Sequence, residues 1–294
     1  MKILAIDIGG TSIKLCISNE QGTISEFREY DTEAKKGGSH LVECLTQFVM
    51  ENYAGFEAIG ISTAGRVNSK TGSIIYANEN IPNYTGMNLK NIFEEKFNVP
   101  VSVENDGNSA ALGELYFGAG KELKDFLCLT FGTGIGSGTV INSTVYRGFN
   151  EYAAEFGHII LHPGGKKCSC GSAGCYEMYG STTALVKKAK DIDKKYMNGR
   201  IIFEGLEQGD IHLEKVLNDW ILDVAYGLVS LIQLSNPPVI IIGGGVMEQD
   251  RLVALVSNKV KELSLGNSNK VEIIRAKLGN KAGLLGAVSQ HVSK

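Results

Sequence analysis

Phe126-Leu127-Cys128-Leu129-Thr130-Phe131-Gly132-Thr133-Gly134-Ile135-Gly136-Ser137-Gly138-Thr139-Val140-Ile141 reads as an apolar strand, a glycine-rich turn and a second strand. Four glycines and two hydroxyl residues within seven positions present free backbone N–H groups and side-chain hydroxyls, which suit phosphate oxygens. The turn is not a P-loop, because no Gly-Lys-Ser/Thr follows it. Nor is it the dinucleotide fingerprint, because a strand and not a helix comes next. The chain opens in the same way. An apolar strand over residues 3–8 runs through Asp7 and Ile8 into Gly9-Gly10-Thr11, and Ile13, Leu15 and Ile17 then alternate with more polar neighbours. Two lobes that begin alike are therefore expected. Asp7 at the first strand's end is placed to hold Mg²⁺, directly or through water. Taken alone, a Gly-Gly turn reads as an ordinary hairpin more often than as a phosphate site.

Outward from these turns the pattern alternates strands and helices. A third strand is expected over 23–29, a helix over 39–53, a strand over 58–62, a helix over 88–98 and a buried strand over 99–103. That strand ends in Glu104-Asn105-Asp106-Gly107-Asn108 and leads into a small-residue helix over 109–117. Residues just past the carboxyl ends of parallel strands face a ligand crevice, which makes Asp106 the carboxylate best placed to act as a general base. Asp and Asn are also routine helix N-caps, so spacing leaves the two roles of Asp106 balanced. In the second half, helices are expected over 181–190 (capped by Ser181 or Thr182) and from Asp210 to about Ser235. The latter buries Val216, Leu217, Trp220, Ile221, Val224 and Leu228. Asn236-Pro237-Pro238 stops it, and a buried strand at 239–242 ends in Gly243-Gly244-Gly245, where a flat ring could approach the backbone. A plain strand-to-helix turn is the alternative. A helix over 248–263, a strand over 271–276 and a last helix over 281–291 complete the chain.

One stretch carries metal chemistry. Glu155-Phe156-Gly157-His158 is followed by Cys168-Ser169-Cys170-Gly171-Ser172-Ala173-Gly174-Cys175-Tyr176-Glu177. His158, Cys168, Cys170 and Cys175 are the thiolate and imidazole donors of a closed, tetrahedral structural zinc site, with no open position for catalysis. A redox cluster or a set of reduced core thiols are the alternatives. A metal-bound imidazole keeps an N–H on its other nitrogen, and Glu155 and Glu177 flank the cluster. Two carboxylates and an imidazole N–H suit a ligand bearing several hydroxyls, such as a sugar.

The bulk numbers fit a small-molecule partner. The 294 residues suffice for two lobes, 43% are hydrophobic, and 29 basic against 32 acidic residues give a net charge of −3. That balance gives no electrostatic case for nucleic acid or an anionic membrane. The early Asp7 interrupts any signal-peptide core, and no apolar run approaches the roughly 20 residues of a membrane span, so a cytoplasmic location is expected. Cys16, Cys44 and Cys128 are scattered singly and read as buried hydrophobes.

Taken in order, Asp7-Ile8-Gly9-Gly10-Thr11, Glu104-Asn105-Asp106, Phe131-Gly132-Thr133-Gly134-Ile135-Gly136, Glu155-x-Gly157-His158, the cysteine cluster with Glu177, and Gly243-Gly244-Gly245 resemble the ROK family of sugar kinases and repressors across essentially the whole chain. The resemblance implies an α/β actin-like ATPase fold of two ribonuclease H-like lobes with ATP and sugar in the cleft, stabilised by zinc. The first lobe would span 1–117, with a last helix over 281–294 packing back on it, and the second 118–280. It implies ATP-dependent phosphorylation of a hexose or hexoside at the 6-hydroxyl, with Asp106 as base and Gly65, Asn80, Asn105, Glu155, His158 and Glu177 as sugar contacts. Gly9, Gly10, Thr11, Gly132, Thr133 and Gly134 would hold phosphates, Asp7 Mg²⁺, and Gly244 and Gly245 the nucleotide. A homodimer is also implied. Many members carry Lys where Ser12 stands, Gly where Ala154 stands and Trp where Tyr84 stands. Lys14 is the substitute for that lysine at the phosphates, and Ala154 and Tyr84 are expected to alter the sugar rim. Glucokinase and β-glucoside kinase are the leading activities, N-acetylmannosamine kinase and fructokinase the alternatives. The family's repressors add an N-terminal helix-turn-helix, for which a first strand starting at Lys2 leaves no residues.

Overall fold

Period-two alternation sorts the side chains of β1 (Ile3–Ile8): Leu4, Ile6 and Ile8 join one apolar cluster, and Ile3 and Ala5 join another. Each face therefore takes its own helical layer. In the computed structural model, which describes residues 1–265 and 270–292, the chain forms two units. The first comprises Met1–Leu123, Ser143–Ala154 and the residues from Asn280 onward; the second comprises Lys124–Asn142 and Glu155–Gly279.

The sheet of the first unit has the order β3-β2-β1-β4-β7, with β2 (Ser12–Ser18), β3 (Ile24–Asp31), β4 (Ala58–Thr63) and β7 (Val101–Asn105). β1 to β3 form an antiparallel meander, while β4 and β7 run parallel to β1. α1 (Gly38–Asn52) and α2 (Leu89–Phe97) bury Leu41, Leu45, Val49 and Phe93 against Leu4, Ile6 and Ile8. On the other face α9 (Ala282–Ser289) seats Leu284, Ala287 and Val288 on Ile3, Ala5, Cys16 and Ala58. It also crosses α3 (Asp106–Phe117), where a side chain at Gly113 or Gly286 would collide with the partner helix's backbone. A hairpin of β5 (Arg66–Asn68) and β6 (Ser73–Tyr76) and the short β10 (Thr144–Val145) complete this unit.

In the second unit β9 (Ile135–Ile141), β8 (Phe126–Phe131), β11 (Val239–Gly243) and β12 (Glu272–Arg275) lie in that order, the first pair antiparallel and the others parallel. α4 (Glu177–Gly180), α5 (Thr182–Lys190), α6 (Gly199–Glu207), α7 (Ile211–Ser235) and α8 (Asp250–Leu263) pack with them around Trp220, Tyr176 and Phe131. Asp210 caps α7, its carboxylate accepting from the N–H groups of His212 and Leu213.

Several sequence expectations need correction. α3 starts at Asp106, three residues early, with Asn105 as its cap. A short 3-10 turn over Gly245–Glu248 delays α8 to Asp250. The β5–β6 hairpin and α6 were not expected; both are short, and their polar flanks resemble loop sequence. Val216 and Leu217 are only partly buried on α7, and Cys44 is half-buried beside His40, unlike the buried Cys16 and Cys128. Tyr84 is fully enclosed, its hydroxyl 2.8 Å from Thr63 Oγ1, so it is no part of an exposed rim. Residues 293 and 294 of the expected last helix lie outside the described residues. Among the described residues no helix is long and apolar enough to cross a membrane.

Candidate active site

The first unit gathers its candidate groups at the carboxyl ends of β1, β4 and β7. Asn105 caps α3 by accepting from Asn108 N–H at 3.0 Å, which leaves its amide to donate to the carbonyl of Gly65 (3.0 Å) and to Asp106 Oδ1 (2.8 Å). Asp106 Oδ1 also accepts from Gly107 N–H at 2.9 Å. Asp106 thus sits in the first turn of α3. Gly65, Asn105 and Asp106 are brought together. Asn80 stands exposed on the loop after β6, its own N–H donating to Asn78 Oδ1 at 3.0 Å.

At the end of β1, Gly9-Gly10-Thr11 forms a tight turn closed by Gly9 N–H to the carbonyl of Ser12 at 3.0 Å. Thr32 braces it, its hydroxyl donating to Gly9 O at 2.7 Å and its N–H to Thr11 O at 3.0 Å. Asp7 accepts from Ser62 Oγ at 2.7 Å and pairs across the strands with Lys14. Burial pushes the Asp7 carboxyl up, opposed by the Ser62 hydrogen bond and the Lys14 charge. Ser12 hydrogen-bonds Glu29 at 2.6 Å.

The second unit assembles a larger set. The turn of Gly132 to Gly134 lies against α5, with Thr182 Oγ1 donating to Phe131 O at 2.9 Å. Gly244, at φ 98°, lays its backbone on Phe131, a position any side chain would block. The two glycine turns therefore adjoin. Beside them a cavity of about 490 Å³ is lined by Thr182, Arg200, Phe203, Glu204, Gly245 and Gln249 among others. Most of that lining comes from α6, whose signals in the sequence are the Asn198 cap and the apolar Ile201, Ile202, Phe203 and Leu206.

Close by, His158, Cys168, Cys170 and Cys175 place one donor atom each within 4.8 Å of one another. Cys170 Sγ and Cys175 Sγ are 3.6 Å apart, and Cys168 Sγ is 3.7 Å from His158 Nδ1. Tetrahedral ligands at Zn–S and Zn–N distances of about 2.3 and 2.0 Å would be separated by roughly 3.5–3.8 Å, so the cluster fits the ion. Burial pushes the Cys168 and Cys175 thiols up, so a bound cation is what would hold them as thiolates. Nδ1 faces the cluster, which leaves Nε2 of a metal-bound His158 as an N–H donor.

Glu177 begins α4 with Oε1 3.1 Å from Cys168 Sγ and 3.8 Å from His158 Nδ1. Its other oxygen occupies the space where a Cβ on Gly134 would lie, which ties the cluster to the glycine turn. Glu155 opens the 3-10 turn Phe156–His158, anchored by Phe156 N–H to Ser137 Oγ at 3.1 Å. Glu155, His158, Glu177 and Gly134 are thus neighbours within one unit.

Two α/β sheets with this strand order, each opening on a strand–glycine turn–strand, define the actin-like ATPase class of fold. The ROK family model matches residues 3–291, and the chain belongs to the ROK family. It is 35% identical to a glucokinase of Streptomyces coelicolor, covering 97% of this chain and 95% of that one. It is 34% identical to a β-glucoside kinase of Listeria innocua, with 98% and 96% covered. The structure superposes with TM-score 0.86 on a ROK glucokinase from Streptomyces griseus solved with glucose and AMPPNP, at 32% identity and 99% coverage of both chains.

Proposed function

We propose that the chain is an ATP-dependent sugar kinase that phosphorylates a hexose or hexoside at its 6-hydroxyl, with Asp106 as the base. The observation that carries the role of Asp106 is its place in the first turn of α3, beside Asn105 and at the end of a parallel strand. The family and the sugar-kinase relatives support the reaction class.

Phosphoryl transfer depends on in-line placement and on neutralising the charge of the transferred group. Gly9, Gly10 and Thr11 in one unit, and Gly132, Thr133 and Gly134 in the other, offer the N–H groups and hydroxyls for phosphates. Asp7 supplies a carboxylate for Mg²⁺; a buried carboxyl whose proton affinity is raised gains most from a cation beside it. Gly244 and Gly245, with the α6 cavity, receive the nucleoside. The family resemblance assigns sugar contacts to Gly65, Asn80 and Asn105 in the first unit, and to Glu155, His158 Nε2 and Glu177 in the second. With Cys168 as a thiolate metal ligand, Glu177 Oε1 would lose the thiol donor it now accepts from and would be open to a ligand hydroxyl. A zinc ion held by His158, Cys168, Cys170 and Cys175 would keep His158 and Glu177 in place. Homodimer assembly, which rests on the family resemblance, and a cytoplasmic location, which rests on the early Asp7 and the lack of a long apolar run in the sequence, complete the reading.

Asp106→Asn is expected to lower kcat by about 10²- to 10⁴-fold with sugar affinity nearly unchanged. A coupled ATP-consumption assay, with sugar binding followed by calorimetry, checks this; unchanged turnover would remove Asp106 from the role. The same assay over glucose, fructose, N-acetylmannosamine and cellobiose sorts the substrate, and equal rates on cellobiose and glucose would exclude a strict glucokinase.

A further inference from the structure

Glu104, two residues before Asp106, is fully buried. An uncompensated carboxylate there would be costly, and the structure compensates it on both oxygens. Oε2 accepts from Arg147 Nε at 2.9 Å and from Arg147 Nη2 at 2.6 Å. Oε1 accepts from the backbone N–H of Asn105 at 2.9 Å and from Asn108 Nδ2 at 3.1 Å. One carboxylate thus grips the strand end before Asp106 and the first turn of the helix that carries it. Asn105 passes the constraint on, since its amide donates to Asp106 Oδ1 at 2.8 Å.

Arg147 lies more than forty residues further along the chain, in the separate Ser143–Ala154 segment of the same unit. Its guanidinium also reaches Val145 O at 3.3 Å and Glu151 at 3.7 Å, and its carbonyl accepts from Ala153 N–H at 3.2 Å. Within this span Gly148 and Glu151, and just past it Ala154, adopt left-handed φ angles of 71°, 62° and 64°. A loop with two non-glycine residues in that region persists only when its surroundings hold it. Arg147 is the side chain tied to both the loop and the strand end, and the loop leads directly into Glu155.

We infer that the Glu104–Arg147 pair is a positioning device for phosphoryl transfer, fixing Asp106 and Asn105 through the α3 cap while fixing the loop that runs into Glu155. The inference rests on the reading of Asp106 as the base. Arg147 touches no reacting atom; it acts through Glu104.

The test compares Arg147→Met, Arg147→Lys, the pair Glu104→Gln with Arg147→Met, and Arg147→Met on an Asp106→Asn background, each by steady-state kinetics and thermal melting. Arg147→Met is expected to lower kcat by about 10- to 100-fold, the scale of a misplacement near 1 Å, with KM for ATP within about twofold. Arg147→Lys retains the charge and recovers part of the loss. The Glu104→Gln, Arg147→Met pair leaves no buried unpaired charge, so its melting temperature returns towards wild type while kcat stays low. On the Asp106→Asn background, Arg147→Met adds less than about threefold, because the group it positions is already gone. Wild-type kcat in Arg147→Met, recovery of kcat together with stability in the pair, or a full additional loss on the Asp106→Asn background overturns the inference. An unchanged kcat in Asp106→Asn alone instead overturns the assignment of the base.

Discussion

His291 shows how one residue ties the stability of the first unit to pH. Its Nε2 lies 2.9 Å from the carbonyl of Ile59 on β4 and 2.8 Å from Ser102 Oγ on β7, so the neutral ring donates to the sheet. Burial lowers its proton affinity, with the Ile59 hydrogen bond opposing. A histidine whose folded value is depressed leaves the unfolded chain binding more protons. Its stabilisation is therefore fully present above about pH 6.5 and is lost as pH falls from there towards the lowered folded value. Thermal melts between about pH 7.5 and 5 should show this decline, worth about 1.4 kcal/mol for each tenfold change in proton affinity. His291→Gln, which retains a donor but takes up no proton, should flatten it; an equally steep decline in the variant would assign the effect elsewhere. Cys16 illustrates the opposite case of burial without a switch: its thiol is pushed up to about 12, mainly by burial, and stays neutral throughout the working range. Residue chemistry was the most legible layer of this chain. The four metal donors, Glu155 and Glu177 could be chosen from residue type and spacing, because zinc chemistry restricts both. The Glu104–Arg147 pair could not, since nothing local in the sequence relates positions so far apart.

At the scale of elements, the loop from His158 to Cys175 has little regular structure of its own. Isolated bridges join Ile160 to Cys175 and Lys167 to Ala173, and His162 pairs with Asp223 on α7 at 3.0 Å. Backbone hydrogen bonds such as Leu161 N–H to Gly174 O at 2.8 Å and Cys168 N–H to Ser172 O at 2.8 Å add to these ties, and a metal held by His158, Cys168, Cys170 and Cys175 would cross-link the loop's two ends. Cys175→Ser, or treatment with a chelator, is expected to release the zinc and to loosen the loop. Sugar affinity should fall by about 10- to 100-fold through the displaced Glu155, His158 and Glu177. Metal analysis and sugar titration check this; full sugar affinity in metal-free protein would refute it. Long elements with clear periodicity, such as α7 with its Asp210 cap, were readable in the sequence, whereas α6 was not. α6 is as long as α2 and α5, which were readable, but it lies between Asn198-Gly199 and Gln208-Gly209 and carries Gly205 inside it, so loop-forming residues mask the apolar Ile202 that it packs into the core.

On the scale of the whole molecule, the first unit is built from three separated segments and the second from two. α9 belongs to the first, where Leu284, Ala287 and Val288 cover Ile3, Ala5 and Ala58. Burial of a large apolar side chain is worth about 1.5–3 kcal/mol, so losing this helix removes much of the few kcal/mol by which a domain is stable. A chain ended after Gly279 should therefore lose amide protection in β1 and β4, while β8 and β11, which have their own core, keep theirs. Hydrogen exchange read by peptide would decide it; protected β1 amides in the shortened chain would contradict the argument. The repeated strand–turn–strand openings made the two-sheet plan legible, but the return of the chain to the first unit at residues 143–154 was not. Its anchors, Arg147 and the left-handed Glu151 and Ala154, become intelligible only once the fold brings Glu104 near.

The late arrival of α9 has a consequence for biosynthesis. β1 belongs to a sheet whose last covering helix, α9, follows it by some 280 residues of chain. At translation speeds of about 5–20 residues per second, Ile3 and Ala5 wait roughly 15 to 60 seconds for their cover. The second unit, complete at Gly279, has its own core and all its segments in hand before that cover is made.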